Sequence, residues 1–449
     1  MQPTSDQRQY TLTEEQNQSL FDDIWLDTVD QLTAVSNPIA LFLGGQPGSG
    51  KSGLAQHHLK QFADRGGVVL INSDALREYH PSFALLQRTD ADRASFLVNP
   101  DTVIWQQKLI DKAILANYNL LLDGTLGGRP EPILQTMQRL RSEGYSVQVS
   151  VMAVPAYQSR LGIYQRYQDQ VMLKGQGRWV GMGTHDAVYN QLPDRIDSLE
   201  QQQLIDQITL FARPVGNEPP ALIYENRPLN GRREGDPKAG QALTAHRNRL
   251  LTYAEYKAHK AVVRDVQWQL EQTAPTPEKI REFRAHVEQT TTGHRVATAA
   301  DTRLYFAWAN DPITRQQSFN SAPISWEAHE AWFTRKINDP DALLLVFETN
   351  ENVPIGQIRF ERFDDELTAT IVVLWPEVIS LSMDAQFRGK GIASVLIEEA
   401  CDTLRKNRGP VPIIAYIKLD NAASVRAFER VGFVRQDSGR PDRLRLVKH

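Results

Sequence analysis

The stretch Ile39-Ala40-Leu41-Phe42-Leu43-Gly44-Gly45-Gln46-Pro47-Gly48-Ser49-Gly50-Lys51-Ser52 decides the fold of the first two thirds of the chain. An apolar run leads into a glycine, four residues and then Gly-Lys-Ser, and a helical pattern follows over 53–61. This is the phosphate-binding-loop pattern in the strand–loop–helix setting that it requires. Glycines let successive backbone N–H groups turn onto one phosphate. The helix N-terminus adds positive potential. Gly45, Gln46, Gly48, Ser49 and Gly50 are expected to form the nucleotide cradle. Lys51 is expected to reach the β- and γ-phosphates, and the Ser52 hydroxyl to ligate Mg²⁺.

Outward from this loop, apolar runs alternate with helical patterns. Residues 68–71 and 120–122 read as buried parallel strands, and 146–154 as a further strand, with a helix over 101–116 between them. Strands alternating with helices predict an α/β fold with a doubly wound parallel sheet. Ligands of such sheets lie at the carboxyl ends of the strands. Asn72 and Asp74 stand at one such end and Asp123 and Thr125 at another. Asp74 suits either a helix N-cap for the residues after it or a carboxylate that takes a proton from an acceptor hydroxyl. Asp123 suits a turn or an acid that orders Mg²⁺ or holds substrate. A helix carrying Arg160, Tyr164, Arg166 and Tyr167 precedes the glycine-rich segment 175–183. A lid there could carry Arg178 onto a transferring phosphate, since guanidinium charge stabilises that transition state.

The bulk numbers agree with a multidomain globular protein. At 449 residues the chain is too long for one ordinary core. Its 41% apolar and 23% charged content is that of a folded protein, and a net charge of −4 gives no electrostatic case for nucleic acid or an anionic membrane. The single cysteine, Cys401, excludes an internal disulfide framework and suits a reducing compartment. No apolar run approaches the roughly 20 residues of a membrane span, and the first residues lack a signal-peptide pattern. Cytoplasm is the expected location. Before the first strand, Thr13 with Gln16 reads as a helix start.

Taken together, the loop at 45–52, Asn-Ser-Asp-Ala-Leu-Arg-Glu-Tyr-His-Pro at 72–81, Asp-Gly-Thr at 123–125, Gln-Arg-Tyr at 165–167 and the arginine-bearing lid resemble the zeta-toxin kinase family over roughly residues 10–270. The resemblance implies ATP- and Mg²⁺-dependent phosphorylation of the amino-sugar 3-hydroxyl of UDP-N-acetylglucosamine, with a small helical antitoxin as partner. It implies Asp74 as base, Lys51 and Ser52 on phosphate and Mg²⁺, Arg166 and Arg178 around the γ-phosphate, and Thr125 on the sugar nucleotide. The chain departs from the family at Asp123, where a glutamate is usual. It also has Gly127-Gly128, then Arg129, where an arginine is usual. The choice of UDP-sugar therefore stays open.

Residues 208–211 and 221–224 read as two more strands, 226–242 as a loop, and 243–289 as interrupted helix. The basic residues Arg232, Arg233, Arg247, Arg249, Lys257 and Lys260 read as a solvated face. Thr290-Thr291-Thr292-Gly293 reads as a linker. The expected division is a kinase domain at 1–290, a linker at 291–294 and a second domain at 295–449.

The last third changes character. Short β patterns recur at 343–348, 355–362, 368–373 and 379–383. Then Gln386-Phe387-Arg388-Gly389-Lys390-Gly391-Ile392-Ala393 opens an amphipathic helix, and a strand at 413–417 precedes Asn421-Ala422-Ala423-Ser424. Gln-x-x-Gly-x-Gly at a strand-to-helix junction presents N–H groups to an anion without a lysine. With the Asn-x-x-Ser and Gly432-Phe433 that follow, this region resembles the GNAT acetyltransferases, a mixed α+β fold. The resemblance implies that residues 386–393, Asn421 and Phe428 contact acetyl-CoA. The opening Trp308-Ala309-Asn310-Asp311-Pro312 resembles the branch that acetylates amino sugars. Many relatives have a tyrosine where Phe428 stands, and a phenylalanine cannot protonate a leaving thiolate. Water or another group such as Tyr416 takes that role, or the domain binds acetyl-CoA without catalysis and regulates the kinase. Alternatively, both halves act on another amino sugar.

Overall fold

The computed structural model describes residues 3–449 apart from 128, 176, 215, 217, 228–237, 274–275, 288–291 and 363–376. By its contacts the chain divides into two units, Met1–Arg249 with His259–Glu288, and Leu250–Ala258 with Gln289–His449.

The first unit is built on β1 (Ile39–Gly44), β2 (Val69–Asn72), β3 (Leu120–Asp123), β4 (Ser146–Met152), β5 (Gln207–Ala212) and β6 (Ala221–Asn226). Their spatial order is β2-β3-β1-β4-β5-β6. The first five are parallel, and β6 returns antiparallel to β5. Side chains alternate across this sheet. Ala40, Phe42, Leu120 and Val149 enter one core, while Leu41, Leu43, Leu121 and Met152 enter another on the opposite face. Both faces being covered explains the near-continuous apolar runs of the sequence. The helix Glu14–Val29 starts where expected, with Thr13 and Gln16 forming a reciprocal capping box. The helices Ala239–Asn248, Tyr253–Gln272 and Pro277–Val287 occupy the interrupted helical stretch.

The second unit carries β7 (Thr292–Val296), β8 (Ala342–Thr349), β9 (Pro354–Arg362), β10 (Glu377–Met383), β11 (Ile413–Lys418), β12 (Val434–Gln436) and β13 (Arg443–Lys448). The spatial order is β12-β13-β11-β10-β9-β8-β7, and the only parallel neighbours among these described strands are β10 and β11. Leu345 and Phe347 of β8 enter the core under the helix Ala393–Arg408, and Leu344 and Val346 enter a second cluster with Tyr305, Trp308 and Phe333.

Two sequence expectations need adjusting, and others fall where the structure describes no residue. Thr292 and Gly293, read as linker, open β7, whose strand form comes from pairing with β8 and not from any apolar pattern of its own. Residues 290 and 291, the strand read at 368–373, and Arg232 and Arg233 lie outside the described residues. Arg247 is not on a solvated face; it is 4% exposed, held against Gln46 and Tyr189.

Candidate functional site

The loop between β1 and the helix Lys51–Ala63 is tightly folded. Gly45, Gly48 and Gly50 all have positive φ (141°, 74° and 94°). Gly48 is the least replaceable, because a Cβ there would stand 2.0 Å from the Ser159 carbonyl oxygen. Ser49 is fully buried and its Oγ has no hydrogen-bond partner among the described residues. Lys51 folds back, its Nζ donating to the Gly45 and Gln46 carbonyl oxygens at 2.9 and 3.3 Å. Burial lowers its pKa to about 8, against the opposing pull of Asp123 and Asp74. An orphaned buried hydroxyl, a desolvated lysine and a glycine cradle fit a polyphosphate, whose charge would hold Lys51 protonated.

Gln46 does not face outward from this cradle; it anchors it. The side chain is fully buried, and its Nε2 donates to the Val154 carbonyl at 2.7 Å and to Ser159 Oγ at 3.1 Å. Its Oε1 accepts from Arg247 Nη2 at 2.9 Å. Arg247 lies over the Tyr189 ring at 3.9 Å and donates to the Tyr189 carbonyl at 2.8 Å. Burial lowers its pKa to about 10. Ser159 Oγ in turn bonds His185 Nε2 at 2.8 Å, and His185 Nδ1 bonds Asp186 at 2.7 Å. Ser159 and His185 are both fully buried, so this serine–histidine–aspartate line braces the loop and is closed to a substrate. Nothing in the local sequence around Arg247 announces the role, since its partner lies 201 residues away.

At the ends of β2 and β3 the acids are sorted by Asn72. Its Oδ1 accepts from the N–H groups of Asp74 and Ala75 at 2.8 and 3.2 Å, and so caps the helix Ser73–Glu78. The capping role is thus taken, and the Asp74 carboxylate is free for other partners. Asn72 Nδ2 donates to Asp123 Oδ2 at 2.7 Å. Asp74 Oδ1 accepts from Arg77 at 2.5 Å and pairs with Arg178. Burial works to raise the Asp74 pKa, but the hydrogen bond and charge of Arg178, then Arg77 and Arg166, outweigh it and hold the carboxyl below its ordinary range. Asp123 goes the other way, raised by burial and by the Asp74 charge, with Lys51 and Asn72 opposing. Burial and the Arg178 charge lower Arg166, whose Nε is buried without a partner among the described residues. Asp74, Asp123, Lys51, Arg166 and Arg178 therefore share one electrostatic site.

The other expected residues fall around it. Arg178 is held by its backbone N–H on Gln170 at 2.8 Å, and Trp179 packs edge-on against Tyr164 and Tyr167 at 5.0 and 5.5 Å. The segment read as a lid is therefore pinned at the arginine and at the residue after it, while Gln176 lies outside the described residues. Thr125 Oγ1 accepts from the Gly127 N–H at 3.1 Å, and Gly128 is likewise outside. Ser52 is exposed in the first turn after the loop. His80 belongs to the scaffold: its buried ring accepts from the Ser82 N–H and bonds the Tyr10 carbonyl at 3.1 Å.

The second unit has its own cavity. β10 and β11 pair only at Glu377–Ile413 and Val378–Ile414, then splay. The separated ends open onto a cavity of about 660 Å³ whose lining includes Ser382, Gly389, Tyr416, Asn421 and Phe428. Gly389 and Gly391 have φ of 73° and 74°, with open space where a Cβ would be. The turn Ala385–Phe387 is capped by Asp384, whose side chain accepts from Gln386 N–H. Arg388 fastens the loop, donating to the Met383 carbonyl at 3.0 and 2.8 Å and pairing with Asp311 at 2.7 Å. Lys390 lies over the Phe387 ring at 5.1 Å. Ile392 turns into the core, and Ala393 starts the helix. Asn421 Oδ1 caps the helix Ala422–Arg430 through the Ser424 N–H. Phe428 is buried edge-on to Phe433 at 5.0 Å. The open glycine loop fits an anionic cofactor through backbone groups, and the Arg388 guanidinium is mostly committed to the protein.

Among the described residues no helix is long and apolar enough to cross a membrane. Comparison with known proteins adds the following. A family model described as Zeta toxin matches residues 22–227, and one described as an acetyltransferase (GNAT) domain matches residues 294–434. The chain is 30% identical over 205 residues to toxin zeta of Streptococcus pyogenes, covering 45% of this chain and 69% of that protein. It is 31% identical over 177 residues to toxin PezT of Streptococcus pneumoniae, covering 39% and 69%. A solved structure from the PezAT toxin–antitoxin system of Streptococcus pneumoniae covers 58% of this chain and 99% of its own, with a TM-score of 0.50 at 23% identity. That last likeness is one of fold.

Proposed function

The chain belongs to the zeta toxin family, and from that premise we propose that its first unit transfers the γ-phosphoryl group of ATP to the amino-sugar 3-hydroxyl of UDP-N-acetylglucosamine or a related UDP-sugar. The observation that carries the reading is Asp74. Asn72 performs the capping that would otherwise occupy it, and Arg178 and Arg77 keep it ionised in the first helical turn beyond β2, where it is coupled to the charges of Arg166 and Lys51. A carboxylate there takes the proton of the attacking hydroxyl. Lys51 leaves its loop carbonyls for phosphate oxygens. Arg166 and Arg178 stabilise the charge spread over the transferring group. Asn72 and Asp123 hold the acceptor with Thr125. Ser52, with Asp123 through water, would hold Mg²⁺, which would supply positive charge to the transferring phosphate.

The second unit carries the GNAT fold, and its glycine loop, Asn421 and the splayed strands support binding of acetyl-CoA and transfer of the acetyl group to an amine. Phe428 favours a second reading, a binding domain without turnover, because its ring offers no proton to a leaving thiolate. Tyr416, in the same cavity, can supply one. A small helical antitoxin is the expected protein partner, and a cytoplasmic location gives access to all three small molecules. The proposed domains are 1–290 and 295–449.

Purified protein given ATP, Mg²⁺ and UDP-N-acetylglucosamine should form ADP and a new phosphomonoester, and Lys51→Ala should lose both rate and ATP affinity. Bound ATP with no transfer to any UDP-sugar would overturn the acceptor assignment.

A further inference from the structure

The cavity of the second unit is lined unevenly in charge. Its described lining residues include Arg315, Arg359, Arg388 and Lys418 and no carboxylate. Two of these cations have acids behind them. Arg388 pairs with Asp311, and Arg359 with Glu361 at 3.0 Å, although Lys336 shares Glu361 at the same distance. The other two have only neutral partners among the described residues. Arg315 donates to the Asn320 and Ala322 carbonyls and to Ser318 Oγ, and its Nε is buried without a partner. Lys418 donates to the Gln316 carbonyl at 2.8 Å. Burial and the charge of nearby Arg359 both pull the Arg315 pKa down, as expected of a guanidinium that lacks a counter-ion. Two further atoms in the lining are unsatisfied acceptors: Gln317 Oε1 and Gln357 Oε1 are buried with no donor among the described residues. Buried polar atoms of this kind are normally paired, so these two, in a cation-lined cavity, are open to N–H or O–H groups of a bound molecule or water.

We propose that the amine acetylated in this cavity carries its own anionic group, a phosphate ester or a carboxylate, bound by Arg315 with Lys418. This rests on reading the unit as an acetyl-CoA-dependent acetyltransferase. Gln317 and Gln357 accept N–H or O–H groups of the same molecule. The amine nitrogen attacks the thioester carbonyl; the C–N bond forms and the C–S bond breaks. The nitrogen loses one proton to solvent and the departing thiolate takes one up. A polycationic amine meets four positive side chains and no acid in the described lining, so it is rejected.

The test uses full-length protein and calorimetry with glucosamine, glucosamine 6-phosphate, glutamate and spermidine, each with CoA bound. Thiol release from acetyl-CoA is followed in parallel. Glucosamine 6-phosphate should bind at least tenfold more tightly than glucosamine, and spermidine should not bind. Glutamate reports whether a carboxylate suffices. Arg315→Gln and, separately, Lys418→Gln should shrink the phosphate preference several-fold while CoA affinity stays as in the parent, which also shows that the variants are folded. No preference for the anionic amine, or tighter binding of spermidine, overturns the anion site. So does an Arg315→Gln variant that loses CoA and keeps the preference, because the arginine would then serve the cofactor. Selective binding of the anionic amine without thiol release would sink the acetyltransferase reading alone and leave the anion site standing.

Discussion

Asp74→Asn separates the two things that a carboxylate can do beside a phosphate loop. In the structure Asp74 is half exposed, accepts from Arg77 and Arg178, and senses Arg166. The amide keeps the shape and removes one negative charge from a site holding three guanidiniums and Lys51. If Asp74 is the base, kcat falls about 10²–10⁴-fold, equivalent to roughly 2.7–5.5 kcal/mol of barrier. ATP affinity stays level or tightens, since the triphosphate then meets a more positive site. Coupled ADP release gives kcat, and titration of a fluorescent ATP analogue gives Kd. The linkage has a definite sign. A carboxyl whose folded pKa is depressed contributes stability above its unfolded pKa and loses it as pH falls through the folded one. The variant should therefore be less stable than the parent at pH 7, with the gap closing below the ordinary carboxylate range. A variant retaining kcat within threefold of the parent would remove Asp74 as base. One that loses ATP affinity in step with kcat would make it a nucleotide contact instead.

Further tests address the scaffold. Gly48→Ala places a methyl group 2.0 Å from the Ser159 carbonyl at a φ of 74°, whereas Gly144→Ala imposes a φ of 85° with nothing within 4 Å. Denaturant unfolding should show about 1 kcal/mol lost at Gly144 and more, about 2–4 kcal/mol, at Gly48, with ATP binding weakened only at Gly48; equal costs would contradict the loop packing. Burial lowers His58 to about pKa 4, partly offset by Gln61, and its Nε2 bonds Ser150 Oγ at 2.9 Å. Between pH 6.5 and 4 the unfolded chain binds a proton that the folded one refuses, so stability should fall on acidification, by at most about 3 kcal/mol from this group. His58→Gln should flatten that part of the stability–pH curve, and an unchanged slope would refute the assignment.

Much of this was legible because it is local. The loop motif, the capping box at Thr13 and Gln16, and the apolar strand runs each specify their own structure within a few residues. The site acids were legible as candidates because they end buried strands, but the sequence left Asp74 balanced between cap and base. Asn72 resolves that through its side chain, two residues upstream. Arg247 was misread, since a basic residue in a polar helix resembles a surface one until Gln46 and Tyr189 are brought against it from distant segments. β7 has no strand pattern and exists through its pairing with β8. The Arg315 site was also invisible, because it joins Arg315 and Gln317 on one helix to Gln357 of β9 and Lys418 of β11, segments far apart in the chain that meet at the cavity.

The most direct test of the central claim is transfer from γ-labelled ATP to UDP-N-acetylglucosamine and to its 3-deoxy analogue. Label is expected on the first and none on the second, and Asp74→Asn should abolish it. Equal labelling of both, or labelling that survives the substitution, would contradict the claim.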